Sequence, residues 1–211
     1  MLDETTFRAL AGKLAASHAS SEWVDLAPGS ALLLPHWLGP SDQAGLMQAC
    51  LELLAWDSPE IRMFGRSHPI PRRHAFVADP GITYRWSGLE QVGQPWIEPL
   101  ARARSRLRSS GFDFNSVLAN DYRGGADSMG WHADDERELG PHPVIATLSL
   151  GASRRLAFKR RDGGGRVALE LGQGALLLTS GAVQRHWLHQ VAKSRRPLGR
   201  RVSLTFRHLA G

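Results

Sequence analysis

Cysteine is nearly absent from this chain. Cys50 stands alone among 211 residues, so an internal disulfide framework is excluded. A reducing cytoplasm is the simplest compartment for such a composition. Long apolar runs are missing too. The run Ala31-Leu32-Leu33-Leu34 stops at Pro35, far short of the roughly 20 residues that cross a bilayer, so no membrane role is expected. The start, Met1-Leu2-Asp3-Glu4, is acidic and has no basic region followed by an apolar stretch, so it does not read as a signal peptide. There is no internal repeat and no low-complexity tract. A monomer is expected.

What is present fits one globular domain. Apolar residues make up 42% and charged residues 22% of the chain, which is ordinary for a domain with a real core. The formal net charge is +6. That balance favours an acidic partner, nucleic acid first. A solubilising basic surface explains the same charge equally well.

The apolar spacing divides the chain. Residues 1–20 place Phe7, Leu10 and Leu14 at helical intervals. This N-terminal extension, residues 1–25, is set apart from a main domain at 26–211. Ser41-Asp42 opens a second helix with Leu46, Met47, Cys50, Leu53 and Leu54 on one face. Residues 57–94 are rich in proline and glycine and read as loops and short strands, a common home for binding residues. Residues 96–108 return to helix, with Trp96, Leu100 and Leu107 inward. Arg102, Arg104, Arg106 and Arg108 form a solvated face there, or one that meets phosphates. From residue 112 the pattern becomes short strands separated by glycines: 112–122, 144–150, 155–159, 166–171, 175–179, 185–191 and 201–207. Helices first and an antiparallel sandwich or jelly roll second make an α+β domain.

Three features in the strand-rich half bear on chemistry. His132-Ala133-Asp134 places an imidazole and a carboxylate on one side of an extended segment. His189 follows on a later strand. Two histidines and one carboxylate make a facial triad with three open positions, the pattern of non-haem Fe(II) oxygenases. A structural zinc site would prefer four filled positions and thiolates. With nine histidines in the chain, His-x-Asp alone is a weak signal. The third feature is Arg201-Val-Ser-Leu-Thr-Phe-Arg207. Alternation puts Val202, Leu204 and Phe206 on one face and Arg201, Ser203, Thr205 and Arg207 on the other. Two guanidiniums on a buried face call for anions, and a dicarboxylate cosubstrate supplies two carboxylates suited to arginine. A surface strand with scattered charge is the alternative. Asn120 and Tyr122 share a strand face and either donate to a carboxylate or sit satisfied in the core.

In order, Asn120-Asp-Tyr122-Arg-Gly-Gly, Ser128-Met-Gly-Trp-His132-Ala-Asp134-Asp-Glu136, Ile145-Ala-Thr-Leu-Ser-Leu-Gly151-Ala-Ser-Arg154, His186-Trp-Leu-His189 and Arg201-Val-Ser-Leu-Thr-Phe-Arg207 resemble the AlkB family of Fe(II)- and 2-oxoglutarate-dependent dioxygenases. Upstream, Phe64-Gly65, Pro71-Arg72-Arg73 and Gly81-Ile-Thr-Tyr84-Arg-Trp86-Ser87-Gly88 are similar to the substrate lid of the branch that contains the nuclear nucleic-acid demethylases. The resemblance implies a double-stranded β-helix (jelly-roll) core at about 112–208, with N-terminal helices packed outside and a lid at about 57–94. It assigns iron to His132, Asp134 and His189. It assigns 2-oxoglutarate to Asn120, Tyr122, Arg201 and Arg207, with Arg201 at the distal carboxylate and Arg207 at the end near iron. Ser203 stands where the family strand usually has asparagine. Serine still donates one hydrogen bond, with shorter reach.

The implied activity is oxidative demethylation of bases such as 1-methyladenine and 3-methylcytosine in DNA, with release of formaldehyde, succinate and CO2, as in alkylation-damage repair. The expected partner is alkylated DNA, single- or double-stranded, with RNA also open. A dioxygenase acting on RNA, protein or a small molecule is the alternative. A base in a duplex must be flipped out to react. By resemblance, Trp86 and the His132 ring sandwich it, Tyr84 and Glu136 lie at its edge, and Ser87 is a further substrate-binding candidate. Phe64 is either a wedge that fills the stack or simple hairpin packing. Arg72 and Arg73 are either phosphate or base contacts or solvated charges. Trp131, His186 and Trp187 sit beside ligands and read as packing or orienting residues.

Overall fold

The computed structural model describes residues 2–63, 66–86 and 89–210. The chain order is α1 (Glu4–Ala16), β1 (Glu22–Leu26), β2 (Gly29–Leu34), α2 (Pro40–Leu53), β3 (Glu60–Met63), β4 (Arg66–Pro69), β5 (Arg73–Ala78), β6 (Thr83–Trp86), β7 (Leu89–Val92) and α3 (Glu98–Ser109). It continues with β8 (Ser116–Tyr122), β9 (Met129–His132), a 3-10 turn (Arg137–Leu139), β10 (Ile145–Gly151), β11 (Arg154–Arg160), β12 (Arg166–Leu171), β13 (Leu176–Thr179), α4 (Gly181–His186), β14 (Trp187–Val191) and β15 (Arg201–Arg207).

A seven-stranded sheet runs β1-β2-β13-β10-β15-β8-β5 and a four-stranded sheet runs β12-β11-β14-β9. The pairs are antiparallel, and the jelly-roll expectation holds. Period-two alternation explains how one strand serves two layers. Val202, Leu204 and Phe206 of β15 join the core beneath the helices. Arg201, Ser203, Thr205 and Arg207 line the cavity between the sheets. The helices cover the outer face of the large sheet: Phe7, Ala11 and Leu14 of α1, Leu46 and Cys50 of α2, and Leu100, Ala103 and Leu107 of α3 share that core. Asp3 caps α1, its Oδ1 accepting the Thr6 N–H at 2.7 Å.

Several boundaries differ from the sequence reading. The helices do not simply precede the sheet, because β1, β2 and β5 all belong to it. β2 is buried at all six positions, so it shows no alternation for periodicity to detect. β5 lies inside the expected lid and pairs with β8 along its whole length; the hairpins β3–β4 and β6–β7 flank it. The strand expected from residue 112 starts at Ser116. Gly111, with φ +89°, turns the chain out of α3, and Phe112 and Phe114 pack in the core before pairing begins. The strand expected at 185–191 starts at Trp187, since residues 181–186 form α4. Trp96 falls outside α3 and stacks on Phe206 at 6.5 Å. Arg102, Arg104 and Arg108 pair with Glu98, Asp79 and Asp113, and Arg106 lies over the Trp37 ring. The row thus has local partners.

Candidate metal and cosubstrate site

The cavity lies between the sheets and is lined by both. β9 and β14 are paired so that His132 and His189 are cross-strand neighbours, and their ring centroids are 4.1 Å apart. His132 Nδ1 lies 2.9 Å from the Gly130 carbonyl oxygen. A carbonyl only accepts, so Nδ1 is the protonated nitrogen in this contact and Nε2 is the one left for a metal. His189 is pushed down to about 3 by burial and by the neighbouring His132. It is therefore neutral, as a metal ligand must be.

Asp134 follows β9 by two residues and is 3% exposed. Burial opposes its ionisation, but Arg207 outweighs that, with both imidazoles contributing, and its pKa falls below the ordinary carboxylate value. Its two oxygens differ. Arg207 Nη2 donates to Oδ1, whereas Oδ2 lies 3.9 Å from His189 Nε2. The ligand atoms of His132, Asp134 and His189 all fall within 4.8 Å of one another. The expected triad is assembled.

Gln184 of α4 fixes the loop that carries Asp134. Its Oε1 accepts the Asp134 backbone N–H at 3.0 Å, and its Nε2 donates to Thr179 Oγ1 at 3.2 Å. Sequence reasoning missed Gln184. It sits on a six-residue helix, where no strand periodicity marks it.

Arg201 has a different environment. It is 1% exposed and burial pushes its pKa down to about 10. Nε donates to Ser149 Oγ at 2.8 Å and Nη2 to Ser203 Oγ at 3.3 Å. Its Cζ lies 5.4 Å from the centre of the Tyr122 ring. Nη1 is buried and has no hydrogen-bond partner among the described residues. A buried guanidinium with hydroxyl partners and a spare donor fits a carboxylate. Ser149 was also missed, although β10 alternates and Ser149 is the register partner of Ser203.

The expected base-edge residues are brought together. Arg207 Nη1 donates to the Tyr84 hydroxyl at 2.8 Å, which donates to Glu136 Oε1 at 2.6 Å. Burial pushes the Tyr84 phenol far above its usual pKa, so it remains a donor. Glu136 Oε2 is buried without a hydrogen-bond partner among the described residues. Arg72 is not at the surface. It is 5% exposed and its Nε donates to Asn120 Oδ1 at 2.8 Å. Arg73 pairs with Asp121 at 2.7 Å. Trp131 lies under Lys159, and Trp187 Nε1 donates to the Leu26 carbonyl. Phe64 and Ser87 lie outside the described residues, as does the side chain of Trp86.

Comparison with known proteins agrees with this geometry. The sequence profile of the 2OG-Fe(II) oxygenase superfamily matches residues 30–207. DNA oxidative demethylase ALKBH2 of Arabidopsis thaliana is 33% identical over 217 residues, covering 89% of this chain and 69% of that protein. The chain belongs to the AlkB family of this superfamily. DNA oxidative demethylase ALKBH2 of Mus musculus is 40% identical over 159 residues, or 71% of this chain. Alpha-ketoglutarate-dependent dioxygenase alkB homolog 3 of Homo sapiens is 36% identical over 172 residues, covering 74% of this chain and 59% of that protein. The chain spans 66% of the mouse ALKBH2 length and 60% of the human one. Among solved structures, OsALKBH1 superposes with a TM-score of 0.62 at 17% identity, covering 89% of this chain and 100% of that one. A Trichoplax adhaerens prolyl hydroxylase bound to a hypoxia inducible factor peptide gives 0.64 at 13% identity, covering 99% and 94%. These two show the shared fold. Fe(II) and 2-oxoglutarate are the cofactors of this AlkB-family chain, and the paired histidines with neutral His189, the ionised Asp134 and the spare donor of Arg201 suit them. Among the described residues no helix is long and apolar enough to cross a membrane.

Proposed function

We propose that this protein oxidatively demethylates alkylated bases in DNA, as the names of its ALKBH2 relatives suggest for those proteins. One observation carries the reading. The triad and the carboxylate-seeking Arg201 line one cavity, so metal and dicarboxylate would meet there. His132, Asp134 and His189 would hold Fe(II), and Arg201, Tyr122, Ser203, Asn120 and Arg207 would surround 2-oxoglutarate. Together the bound cofactors supply the oxidising chemistry that converts an N-methyl group, 2-oxoglutarate and O2 into an N-hydroxymethyl group, succinate and CO2. The N-hydroxymethyl base then loses formaldehyde and regains its original form.

The chain's own residues have the remaining tasks. Arg207 neutralises Asp134 through Oδ1 and leaves Oδ2 for the metal. Gln184 holds Asp134 in register. The hairpin carrying Tyr84 also carries Trp86, which we assign to stack an extruded base opposite His132. Phe64 and Ser87 remain substrate-binding candidates from the sequence, Phe64 with a wedge and hairpin packing both open. Glu136, with Oε2 unpartnered among the described residues, favours a cationic base such as 1-methyladenine or 3-methylcytosine.

The test is formaldehyde and succinate release from methylated single-stranded DNA, duplex DNA and RNA, with Fe(II) and 2-oxoglutarate present. Equal amounts of both products from DNA are expected, and none from an Asp134→Ala variant. Succinate with no formaldehyde from any methylated nucleic acid would overturn the substrate assignment. Preferential release from RNA would move the substrate to RNA.

A further inference from the structure

We propose that Arg72 is a positioning residue of the 2-oxoglutarate pocket, holding the Asn120 amide so that its two N–H donors face the cofactor. The proposal rests on the reading that this cavity binds 2-oxoglutarate. It gives a role to a residue that the sequence left open between a phosphate or base contact and a solvated charge.

Hydrogen-bond chemistry fixes the orientation. An amide's oxygen and nitrogen look alike in outline, and a free Asn120 could present either end to the cavity. A guanidinium has no acceptor. The Asn120 atom 2.8 Å from Arg72 Nε must therefore be the carbonyl oxygen, and the Nδ2 donors are directed elsewhere. Asn120 lines the same cavity as Arg201 and Ser203. A donor suits a carboxylate or keto oxygen there, whereas a carbonyl would repel it.

The surroundings make this contact firm. Arg72 is 5% and Asn120 4% exposed, so water competes little for the bond. Arg72 precedes β5, whose His74 is the register partner of Asn120 on β8. The Arg72 carbonyl accepts from Ser58 Oγ at 3.2 Å, and its N–H donates to the Ile70 carbonyl at 2.8 Å. On the neighbouring residues, Arg73 and Arg200 both grip Asp121, which is fully buried. That clamp joins β5 and β8 to the segment leading into β15. Burial lowers the pKa of Arg72, with Tyr122 and Asp127 opposing.

The experiment measures two affinities calorimetrically on the intact Mn(II)-loaded protein: 2-oxoglutarate, and a methylated oligonucleotide. Arg72→Met should weaken 2-oxoglutarate about tenfold, the loss of one charge-assisted contact acting through Asn120, and leave the oligonucleotide within about twofold. Arg72→Lys, which keeps a donor, should recover part of the loss. In a double-mutant cycle, Arg72→Met should add nothing once Asn120→Ala is present. Asn120→Asp keeps the acceptor for Arg72 and removes the donor, so it should fold and still lose 2-oxoglutarate affinity. That variant decides the matter if Arg72→Met does not fold. Weakened oligonucleotide binding with unchanged 2-oxoglutarate binding would overturn the proposal in favour of a nucleic-acid contact. So would additive effects in the cycle, or unimpaired 2-oxoglutarate binding by Asn120→Asp. Wild-type protein that binds no 2-oxoglutarate would instead fail the reading of the cavity itself.

Discussion

Arg201 and Arg207 stand at the two ends of β15, on the same face, and are 1% and 3% exposed. Their sequence contexts look equivalent. Their environments are opposite. Arg207 meets a full carboxylate, Asp134, and a phenol. Burial opposes its charge, but Asp134, Tyr84 and Glu136 hold its pKa above the ordinary value. Arg201 meets two serine hydroxyls and an aromatic face; each arginine keeps one unpartnered donor, Arg201 Nη1 and Arg207 Nε, but Arg201 has no carboxylate partner among the described residues. Burial then wins, and its pKa falls to about 10. One arginine therefore completes a metal ligand, and the other awaits an anion. A buried charge is informative chiefly through what does not balance it.

That comparison can be broken most forcefully at Arg207. Arg207→Met leaves Asp134 buried without its main counter-charge, which should destabilise the metal-free protein by roughly 3–5 kcal/mol. Urea unfolding of the metal-free variant checks this, and wild-type stability would contradict it. Arg201→Met should behave differently. It removes a cation that has no carboxylate partner among the described residues, so stability should hold or rise. Affinity for 2-oxoglutarate should fall about a hundredfold, near 2.7 kcal/mol, as read by turnover against cosubstrate concentration.

A smaller effect tests whether burial sets charge in this wall. His74, beside Asn120 in register, is lowered from 6.5 to about 4 by burial and by Arg72. A depressed folded pKa means that the unfolded chain binds the proton first. The stabilisation from neutral His74 is thus complete above pH 6.5 and is lost as pH falls toward 4. Between pH 7.5 and pH 5 it should decline by about 2 kcal/mol. His74→Gln should flatten the stability profile by that amount, and an unchanged slope would refute it. The smallest effect is expected at Ser203. Ser203→Asn extends the reach of the donor beside Arg201 and should tighten 2-oxoglutarate by about threefold, under 1 kcal/mol. Weaker binding would show that Arg201 needs the smaller neighbour.

Much of the site was legible because β15 and the His132-Ala133-Asp134 segment are extended, and extended chain sorts side chains by a period of two. The alternation of β15 alone separated core from cavity. The burial of Arg72 was hidden for a related reason. Arg72 lies just before β5, whose burial on both faces hides it from periodicity, and inside a stretch whose prolines and glycines read as exposed loop. Gln184 and Ser149 escaped notice because their roles exist only across strands distant in sequence. The division of labour between Arg201 and Arg207 was equally hidden. It depends on Asp134 reaching one end of the strand and not the other.

The most direct test compares 2-oxoglutarate with pyruvate, which keeps the keto-acid head and lacks the distal carboxylate. Each is titrated calorimetrically into Mn(II)-loaded wild-type, Arg201→Met and Ser203→Asn proteins. The account predicts a strong wild-type preference for 2-oxoglutarate, its near-disappearance in Arg201→Met and its survival in Ser203→Asn. A preference that persists undiminished in Arg201→Met would contradict the assignment of Arg201 as the anchor of the dicarboxylate.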